Sequence, residues 1–460
     1  VGRPREHQLR PVGDPVFDPV SAETGAGLAY TATFEVYPEI ALQSLDTLTV
    51  QKPVCTLGET DVDAMLEVRR QLPQTIVGTN LNAAMQDLPP RPLFGPAPTD
   101  VVLLAPATYK WRPHVTATIR EVLGGPRYIS IEQDGGADIA LALEVGAPIP
   151  QGAEEVYGVT ANGKLYVFGG LALAWKPIGM VMEYDPAKNA WTRKKDMPAP
   201  HHHFALAEHN GKIYMFGGYR LPDAGQPTWI PVDNAWEYDP QTDNWKALAS
   251  LPQARGSINA LNVNGKIHLI GGATLPPGIK DAYIHPSRNT SVTTHEVYDV
   301  ASNSYAKRAD MPTARNHSAS GVINGKIYIV GGRTGSVFIP NAFNVDLVDE
   351  YDPATDQWSL KAPMPTPRSA TAWGVYNGRI YVAGGEIRHR DFWATYTTVE
   401  AFDPQSNSWS RLPPMPAPRH GLAGGVLGNK FHLVSGSLQS GTNVPGIVTN
   451  TDRHDVLVIE

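Results

Sequence analysis

Short apolar runs recur through the C-terminal two-thirds of the chain, and most of them follow an Asn-Gly turn and end at a pair of glycines. With their turns, the runs are NGKLYVFGG from Asn162, NGKIYMFGG from Asn210, NGKIHLIGG from Asn264, NGKIYIVGG from Asn324, NGRIYVAGG from Asn377 and a degraded copy, GNKFHLVSG, from Gly428. The copies stand about 50 residues apart, and self-similarity at such a period indicates a repeat architecture. We therefore expect one structural unit to be built several times.

Each complete repeat contains four segments of strand length. The Asn-Gly turn joins the first two, because its positive φ angles suit a two-residue hairpin. The second segment ends at the glycine pair, where the missing side chains allow another backbone to approach closely. After a loop of variable length, the third segment ends in Tyr-Asp-Pro or a variant of it. The fourth segment carries an aromatic residue seven positions later, as with Tyr184 and Trp191, and leads to Met-Pro-x-Pro-Arg or a relative of it.

Together these features resemble the kelch repeat, whose units are four-stranded blades of a β-propeller. The resemblance covers about residues 138–460 and implies an all-β, six-bladed propeller. The sixth repeat ends at its third strand, so its fourth strand has to come from elsewhere in the chain. The segment DIALALEVGAPIP, which begins at Asp138, is predicted to supply it, because closure by an N-terminal strand removes the exposed edges of an open array.

Residues 1–75 resemble bacterial trigger factor, from the end of its ribosome-binding domain to the entry of its prolyl-isomerase domain. The similar stretches are LRPVGDPVFDP from Leu9, GLAYTATFEVYPEIALQSLDTLTVQKP from Gly27 and TLGETDVDAMLEVRRQL from Thr56. Alternating apolar positions predict strands over residues 30–36 and 49–54, and a capping box at Thr60 predicts a helix over residues 60–72. We expect a small α+β extension without isomerase activity, since the isomerase body does not follow.

Residues 76–137 are interpreted as a Pro-rich linker followed by an unassigned β-rich segment. Prolines at positions 89, 90, 92, 96 and 98 favour extended polyproline geometry. Alternating apolar runs begin at Val101, His114, Arg127 and Asp138. These runs predict strands of a small β-meander between the linker and the first repeat.

The predicted topology assigns the connections to two faces, because alternate turns of an antiparallel meander lie at opposite ends of its strands. The Asn-Gly and Asp-Pro turns share one face. The long post-glycine loops share the other face with the Met-Pro-x-Pro-Arg segments. Variable loops on a rigid scaffold are where binding residues concentrate. The candidates for a cationic and aromatic mouth on that face are Arg255, Arg315, Arg368, Arg419, His201, Trp229, Arg333, Arg388 and Trp393.

Two interpretations of the arginines remain open. Guanidinium groups bind carboxylates in a bidentate fork, so a ring of arginines around the mouth would hold an anionic ligand even in a protein of net negative charge. In the other interpretation, each arginine hydrogen-bonds carbonyl groups of the adjoining blade and has a structural role.

The sequence favours a binding protein that presents this mouth to a protein partner or to an anionic small ligand. The alternative is an enzyme at the same mouth, similar to sialic acid mutarotase and acting on a sugar acid as a mutarotase or epimerase. No catalytic residue is assigned. Copper-radical chemistry of the galactose oxidase type is disfavoured, because that resemblance implies a tyrosine–cysteine cross-link and the single cysteine, Cys55, lies outside the repeats.

No metal and no cofactor is predicted. Imidazole ligands are available near the mouth segments, at His201, His202, His203, His317 and His420. Adjacent histidines point in different directions, however, which makes a shared metal centre an unfavoured interpretation.

Charge and hydropathy narrow the partner classes. A net charge of −7 gives no general case for binding nucleic acid or an anionic membrane. The chain lacks an apolar run of the length that a transmembrane helix needs, so no membrane span is expected. Many bacterial kelch proteins are exported and trigger factor is cytoplasmic, so the resemblances leave the compartment open.

Overall fold

A computed structural model describes residues 16–21, 29–33, 107–112, 115–121, 127–133, 142–172, 175–222, 229–276, 288–339, 342–389, 392–441 and 449–459. The chain divides into two compact units, residues 1–75 and residues 76–460. No helix within the described ranges has the length and apolar character needed to cross a bilayer.

The described part of the first unit is an antiparallel pair of strands, β1 (Val16–Ser21) and β2 (Ala29–Thr33). The strand predicted over residues 30–36 overlaps β2. The strand predicted over residues 49–54 and the helix predicted over residues 60–72 lie outside the described residues.

The second unit begins with an antiparallel meander of β3 (Ala107–Arg112), β4 (Val115–Glu121) and β5 (Arg127–Gln133). Two of the predicted runs correspond to β4 and β5. The first strand of the meander was not predicted, although the sequence ATYKWR does alternate between apolar and polar residues. The predicted run from Val101 lies outside the described residues.

Of the remaining strands in the described ranges, most build six sheets of four strands each, arranged as a propeller. In chain order they are β6 (Ala142–Val145), β7 (Tyr157–Ala161), β8 (Lys164–Phe168), β9 (Leu171–Ala172), β10 (Lys176–Pro177), β11 (Val181–Asp185), β12 (Ala190–Arg193), β13 (Ala205–His209), β14 (Lys212–Phe216), β15 (Tyr219–Arg220), β16 (Ile230–Pro231), β17 (Ala235–Asp239), β18 (Asn244–Ala247), β19 (Asn259–Val263), β20 (Lys266–Ile270), β21 (Ala273–Thr274), β22 (Thr290–Ser291), β23 (His295–Asp299), β24 (Ser304–Lys307), β25 (Ala319–Ile323), β26 (Lys326–Val330), β27 (Arg333–Gly335), β28 (Ala342–Asn344), β29 (Val348–Asp352), β30 (Gln357–Leu360), β31 (Ala372–Tyr376), β32 (Arg379–Ala383), β33 (Glu386–His389), β34 (Phe392–Tyr396), β35 (Val399–Asp403), β36 (Ser408–Leu412), β37 (Ala423–Leu427), β38 (Lys430–Val434) and β39 (His454–Val458). Blades 1 to 6 are β7-β8-β11-β12, β13-β14-β17-β18, β19-β20-β23-β24, β25-β26-β29-β30, β31-β32-β35-β36 and β37-β38-β39-β6.

The first strands of the blades form a closed ring around a central channel. Each of β7, β13, β19, β25, β31 and β37 contacts the first strand of the next blade, and β37 contacts β7. Packing at the seam between blades 6 and 1 is tight, since a Cβ on Gly158 would lie 2.4 Å from the carbonyl oxygen of Gly424. This arrangement confirms the prediction of six blades.

The N-terminal strand β6 closes the ring as the outermost strand of blade 6. It pairs antiparallel with β39, with Leu143 opposite Leu457. Past the strand, Gly146 N donates to His454 O and Ile149 N donates to Asp452 O, at 2.9 and 3.0 Å. The closing strand predicted from DIALALEVGAPIP is therefore confirmed.

The long post-glycine loops contain short hairpins that the repeat pattern did not predict. In blades 1 to 4 these are β9-β10, β15-β16, β21-β22 and β27-β28, and in blade 5 the hairpin is β33-β34. Strand β34 also pairs in parallel with β5, placing Trp393 opposite Tyr128. The meander and the blade 5 hairpin consequently form one five-stranded sheet.

Candidate functional site

The segment that enters each blade places one residue at the same point around the mouth end of the channel. We call these the collar residues: Glu155, His203, Ser257, His317, Ala370 and Gly421. All six have a left-handed backbone, with φ between 52° and 57°. This conformation is uncommon outside glycine, so its repetition fixes the direction of the side chains in every blade. Backbone hydrogen bonds link neighbours in the ring, such as Ser257 N to His203 O at 2.6 Å.

A second set of positions lies beside the collar. The residue that follows each glycine pair forms a β-bridge with the residue that precedes the collar residue. These bridges are Glu154–Leu171, His202–Tyr219, Gly256–Ala273, Asn316–Arg333, Ser369–Glu386 and His420–Ser437. The repeat thus carries three positions per blade to the mouth, and the residue types at these positions differ from blade to blade.

Glu155 of blade 1 lies at the centre of the polar groups that result. Its carboxylate oxygens are 3.4 Å from His203 Nε2 and 3.8 Å from His420 Nε2. The Tyr157 hydroxyl donates to the same carboxylate at 3.3 Å. All these groups are buried except Tyr157, which is half-buried.

Arg333 ties blades 4 and 5 together on the other side of the cluster. Its Nη1 donates to Glu386 Oε1 at 2.6 Å, and its Nη2 donates to Val337 O at 2.5 Å. The same Nη2 lies 3.1 Å from His317 Nε2, and Nε donates to Asn316 Oδ1 at 3.2 Å. Nη1 also donates a longer bond to Ser369 Oγ at 3.4 Å, so the guanidinium is held on every side inside the protein.

The pKa values of the two glutamates are displaced in opposite directions, because neighbouring charges outweigh burial only at Glu386. Burial raises the pKa of Glu155, and the nearby Glu386 carboxylate raises it further, against the opposing effects of His420 and Arg333. Burial also opposes ionisation of Glu386, but His420 and the Arg333 guanidinium together bring the pKa of that carboxyl below its ordinary value. Burial lowers the pKa of His203 and of His317 well below the usual range of histidine, so both imidazoles are neutral near pH 7.

An aromatic wall stands over this polar floor. The rings of Trp175, Trp229 and Phe338 lie 5.8 to 6.2 Å from one another. Wall and floor line a cavity at the mouth that is partly open to solvent and has an empty volume of about 310 Å³, and Glu155 and Arg333 belong to the same lining.

Glu155 also lines a second cavity, inside the central channel. This cavity has an empty volume of about 750 Å³ and extends along the first strands, past Tyr157, Ala260 and Trp373. Since Glu155 belongs to both linings, it lies between the mouth cavity and the channel.

The four arginines of the Met-Pro-x-Pro-Arg segments lie inside the blades. Each guanidinium pairs with an acid on the third strand of its own blade: Arg255 with Glu296, Arg315 with Asp349, Arg368 with Glu400, and Arg419 with Asp455. At most 1% of any of the four arginines is exposed. These contacts are those expected of arginines with a structural role. They lie within a single blade, however, whereas the structural interpretation predicted bonds to the adjoining blade. A ligand-binding role for the four stays a prediction.

The repeat itself shows that arginine and acid belong together. Blades 1 and 2 lack the arginine, having Ala153 and His201 at that position, and they also lack the acid, having Met182 and Trp236. His201 is buried and its ring lies 5.5 Å from that of Trp236. It therefore fills the arginine position of blade 2 and does not line the mouth cavity.

The other predicted site residues divide between two places. Trp229 and Arg333 come together in the lining of the mouth cavity. Arg388 and Trp393 are paired in register across the β33-β34 hairpin. Glu155 and Glu386 were not predicted as site residues. Aligning the repeats by their glycine pairs and by the entry segments would have found them, since both occupy positions where other blades have different residue types.

Comparison with known proteins agrees with this architecture. A model described as "Kelch motif" matches residues 158–198, 200–252, 314–365 and 367–416. A model described as "Bacterial trigger factor protein (TF)" matches residues 4–69. The match near the N-terminus accords with the predicted resemblance of residues 1–75.

Curated relatives share the repeats at moderate identity. The Kelch-like protein terF of Aspergillus terreus is 28% identical over 303 residues, which are 64% of this chain and 63% of that protein. Kelch-like protein 25 of Xenopus tropicalis is 27% identical over 243 residues, 53% of this chain and 38% of that protein. The chain thus spans less than two thirds of the length of these relatives.

A solved structure, "Structure of YjhT", has the same fold. It superimposes with a TM-score of 0.55 at 18% sequence identity and covers 69% of this chain and 97% of its own. At this identity the likeness concerns the fold alone.

Proposed function

We propose that the protein is an interaction module that binds a partner protein at its loop-rich face. The premise is that residues 138–460 form a kelch-repeat β-propeller. In this proposal a side chain of the partner enters the mouth cavity. The observation that carries it is the cavity itself, in which an aromatic wall stands over a polar floor and two buried polar atoms of the lining have no hydrogen-bond partner among the described residues.

Unpaired polar atoms on the cavity lining support the proposal that a side chain of the partner is inserted there. Trp229 Nε1 and His420 Nδ1 are buried and have no hydrogen-bond partner within the described part of the chain. Buried polar groups are nearly always hydrogen-bonded, and leaving one unpaired costs about 1–3 kcal/mol. A ligand that supplies these hydrogen bonds would recover that cost on binding.

Exposed apolar side chains on the same face support a protein partner. Phe343, on the post-glycine hairpin of blade 4, is 75% exposed, and Leu438, on the post-glycine loop of blade 6, is 43% exposed. Aromatic anchors near the centre of an interface commonly contribute most of its binding energy. We infer that Phe343 and Leu438 belong to the rim and that Trp229 belongs to the central pocket.

The floor favours a group with both donors and acceptors over a simple anion. Glu155 and Glu386 are carboxylates, and the guanidinium of Arg333 is already engaged with Glu386 at 2.6 Å. An anionic small ligand would have to displace Glu386 from Arg333. An amide or hydroxyl side chain binds without that exchange, so the protein-partner form of the proposal is preferred to the anionic-ligand form.

The test uses peptides selected from a displayed random library on the intact protein. Their affinities are then measured for the wild type, Phe343→Ala, Trp229→Phe and the control Leu360→Ala. Leu360 is 67% exposed but lies on the outermost strand of blade 4 and lines neither cavity. Phe343→Ala and Trp229→Phe are expected to weaken binding by about 1–2 kcal/mol, whereas Leu360→Ala has no effect. Peptides whose binding is lost only in Leu360→Ala would place the interface elsewhere and overturn the proposal.

A second candidate function, an enzyme acting on a sugar acid at the same mouth, has one observation in its favour. Glu155 and Glu386 are two buried carboxyls with pKa values displaced in opposite directions. Such separation is typical of acid–base pairs. In this function Glu155→Gln abolishes anomer interconversion of an acidic sugar, followed by NMR, without loss of fold. Interconversion at the uncatalysed rate with the wild type would exclude it.

A further inference from the structure

Three of the collar residues place metal-ligating atoms together. Glu155, His203 and His317 come from blades 1, 2 and 4, and their donor atoms lie within 4.8 Å of one another. Because they occupy the same collar position with the same left-handed backbone, their side chains converge from three sides of the ring. We propose that these three residues bind one divalent transition-metal ion, of the zinc or iron(II) class, at the junction of the mouth cavity and the channel.

The separation of the donor atoms suits a shared ion better than a direct hydrogen bond. His203 Nε2 and Glu155 Oε2 are 3.4 Å apart, beyond the usual length of a hydrogen bond between nitrogen and oxygen. Zinc binds imidazole nitrogen and carboxylate oxygen at about 2.0–2.2 Å in a tetrahedron, which places two ligands about 3.3–3.6 Å apart. The pair therefore already has the spacing of two ligands of one ion.

The tautomer of His317 is set by a neighbour outside the triad. Asn316 Oδ1 lies 2.5 Å from His317 Nδ1 and, as an amide oxygen, accepts the proton, so the lone pair of His317 is on Nε2. Asn316 is itself fixed, since its Nδ2 donates to Ser291 Oγ at 2.8 Å. His203 Nδ1 lies 2.5 Å from His202 Nδ1, a contact in which either ring can donate, and the contact orients the His203 ring. Outer partners of this kind commonly orient imidazoles toward a metal ion.

The charge of the surroundings accommodates a cation. Two carboxyl groups, those of Glu155 and Glu386, lie beside the proposed position against the one guanidinium of Arg333. An ion at His317 Nε2 replaces the hydrogen bond from Arg333 Nη2. Arg333 then retains its bonds with Glu386 and with the carbonyl of Val337.

A second group, Glu155 with Glu386 and His420, is less suited to hold the ion. Glu386 Oε1 accepts from Arg333, and Oε2 accepts from Ser440 Oγ at 2.8 Å and Gly441 N at 3.0 Å. Three of its lone pairs are therefore in use. Glu155, by comparison, accepts only the longer bond from Tyr157 among the hydrogen bonds described for its carboxylate.

Three protein ligands leave coordination positions open. Sites that keep an open position exchange water or substrate there, whereas structural zinc sites are closed by four protein ligands. The mouth cavity reaches Glu155 and His203, and the channel cavity reaches Glu155 and His317. The proposed ion is therefore accessible to a small ligand.

The experiment titrates untagged, chelator-treated protein with Zn²⁺ by calorimetry and with Co²⁺ by visible absorption. We expect one equivalent of tightly bound ion and d–d bands of bound Co²⁺. His203→Ala and His317→Ala are expected to abolish stoichiometric binding, and Asn316→Ala to weaken it by about 10–100-fold. No partner is needed, so failure of this experiment is separate from failure of the proposed function.

Two matched controls make the assignment specific. Ser257→Ala alters the collar position of blade 3, which carries no ligand, and His420→Ala alters the second group. Both are expected to bind Zn²⁺ like the wild type. Unchanged binding in His203→Ala and His317→Ala would mean an adventitious ion only. Loss in His420→Ala alone would move the ion to the second group, and absence of wild-type binding would also overturn the proposal.

Folding of the variants does not limit the test. Zn²⁺ is expected to raise the Tm of the wild type, because an ion that binds the folded state stabilises it. The same addition is expected to leave the Tm of His317→Gln unchanged. An equal rise in both proteins contradicts the proposed ligand set.

Discussion

The guanidinium of Arg255 donates to the carboxylate of Glu296 across 2.6 Å, and both side chains are buried in blade 3. Arg255 also donates to the carbonyl oxygens of Gly271 and Leu269. The arginine thus connects the segment that enters the blade to its second and third strands. Equivalent pairs in blades 4, 5 and 6 make this connection a recurrent feature of the fold.

Removing one partner of this pair should be more harmful than removing both. Arg255→Ala leaves the Glu296 carboxylate buried without its cation and is expected to lower the free energy of unfolding by about 3–5 kcal/mol. The double variant Arg255→Ala/Glu296→Met gives blade 3 the residues that blade 1 has at Ala153 and Met182, and should recover most of that loss. Urea denaturation measures both. An Arg255→Ala protein of normal stability that no longer binds its ligand would instead support the predicted ligand role.

The closing strand should be required for a monodisperse propeller. Deleting residues 1–100 leaves β6 and its partner β39 intact, whereas deleting residues 1–150 removes β6 and exposes the edge of blade 6. The longer deletion also removes Ile149, which is 1% exposed in the core between blades 6 and 1. We expect a lower Tm and aggregation for the longer deletion only, measured by thermal melting and light scattering. Equal behaviour of the two proteins would show that β6 is dispensable.

Two buried histidine pairs should make the propeller sensitive to acid. His268 Nδ1 lies 2.9 Å from His295 Nε2 in blade 3, and His432 Nδ1 lies 2.8 Å from His454 Nε2 in blade 6. Burial lowers the pKa of His268 and His432 to about 3 and that of His295 and His454 to about 4. The charged groups that act on them are Arg308, Asp310 and Asp356 around the first pair, and Arg419, Lys430 and Asp455 around the second.

The direction in which the free energy of unfolding changes with pH follows from the number of protons bound in the folded and unfolded states. In the unfolded chain these histidines bind protons below about pH 6.5, whereas in the folded protein they stay neutral until about pH 4. The free energy of unfolding is therefore largest above pH 6.5 and falls as the pH is lowered from about 6.5 to about 4. The variant His268→Tyr/His295→Val, which copies Tyr328 and Val348 of blade 4, should lose less Tm between about pH 7.5 and about pH 5. An identical loss would exclude this pair as a source of the acid sensitivity.

The aromatic residue of the fourth strand should act as a hydrogen-bond donor to the preceding blade. Trp409 Nε1 donates to Ala362 O at 3.0 Å, and in blade 3 the hydroxyl of Tyr305 donates to Ala249 O at 2.8 Å. Trp409→Tyr is therefore expected to keep the connection, and Trp409→Phe to lose it. The two variants should differ by about 1 kcal/mol in the free energy of unfolding. No difference between them would mean that the ring contributes by packing alone.

Repetition made much of the fold predictable from the sequence. The interval between glycine pairs defined the blades, and the incomplete sixth repeat required a strand that the segment from Asp138 could provide. Local turn chemistry assigned the connections to two faces, because an antiparallel meander reverses at every turn. None of these conclusions depends on knowing where an individual side chain points.

The position of a side chain in the fold, and the groups that it contacts, could not be predicted in the same way. Arg315 and Arg333 are both arginines of the loop-rich face by sequence, yet Arg315 is enclosed in blade 4 and pairs with Asp349, whereas Arg333 lines the mouth and pairs with Glu386. Which acid a guanidinium meets depends on backbone that is remote in sequence. In the same way, β5 pairs with β34, although the alternation of apolar and polar residues in these segments does not indicate which strand each will pair with.

By itself the sequence determined the number of blades, the closing strand and the faces of the loops, since these follow from periodicity and turn geometry within each repeat. Only the tertiary structure decided that Glu155, His203 and His317 meet, and that Glu155 and Glu386 both approach His420. Ring closure is the physical reason. It brings equivalent positions of blades that are far apart in the chain to one axis, where the distances between their side chains are set by the ring and not by their spacing in the sequence.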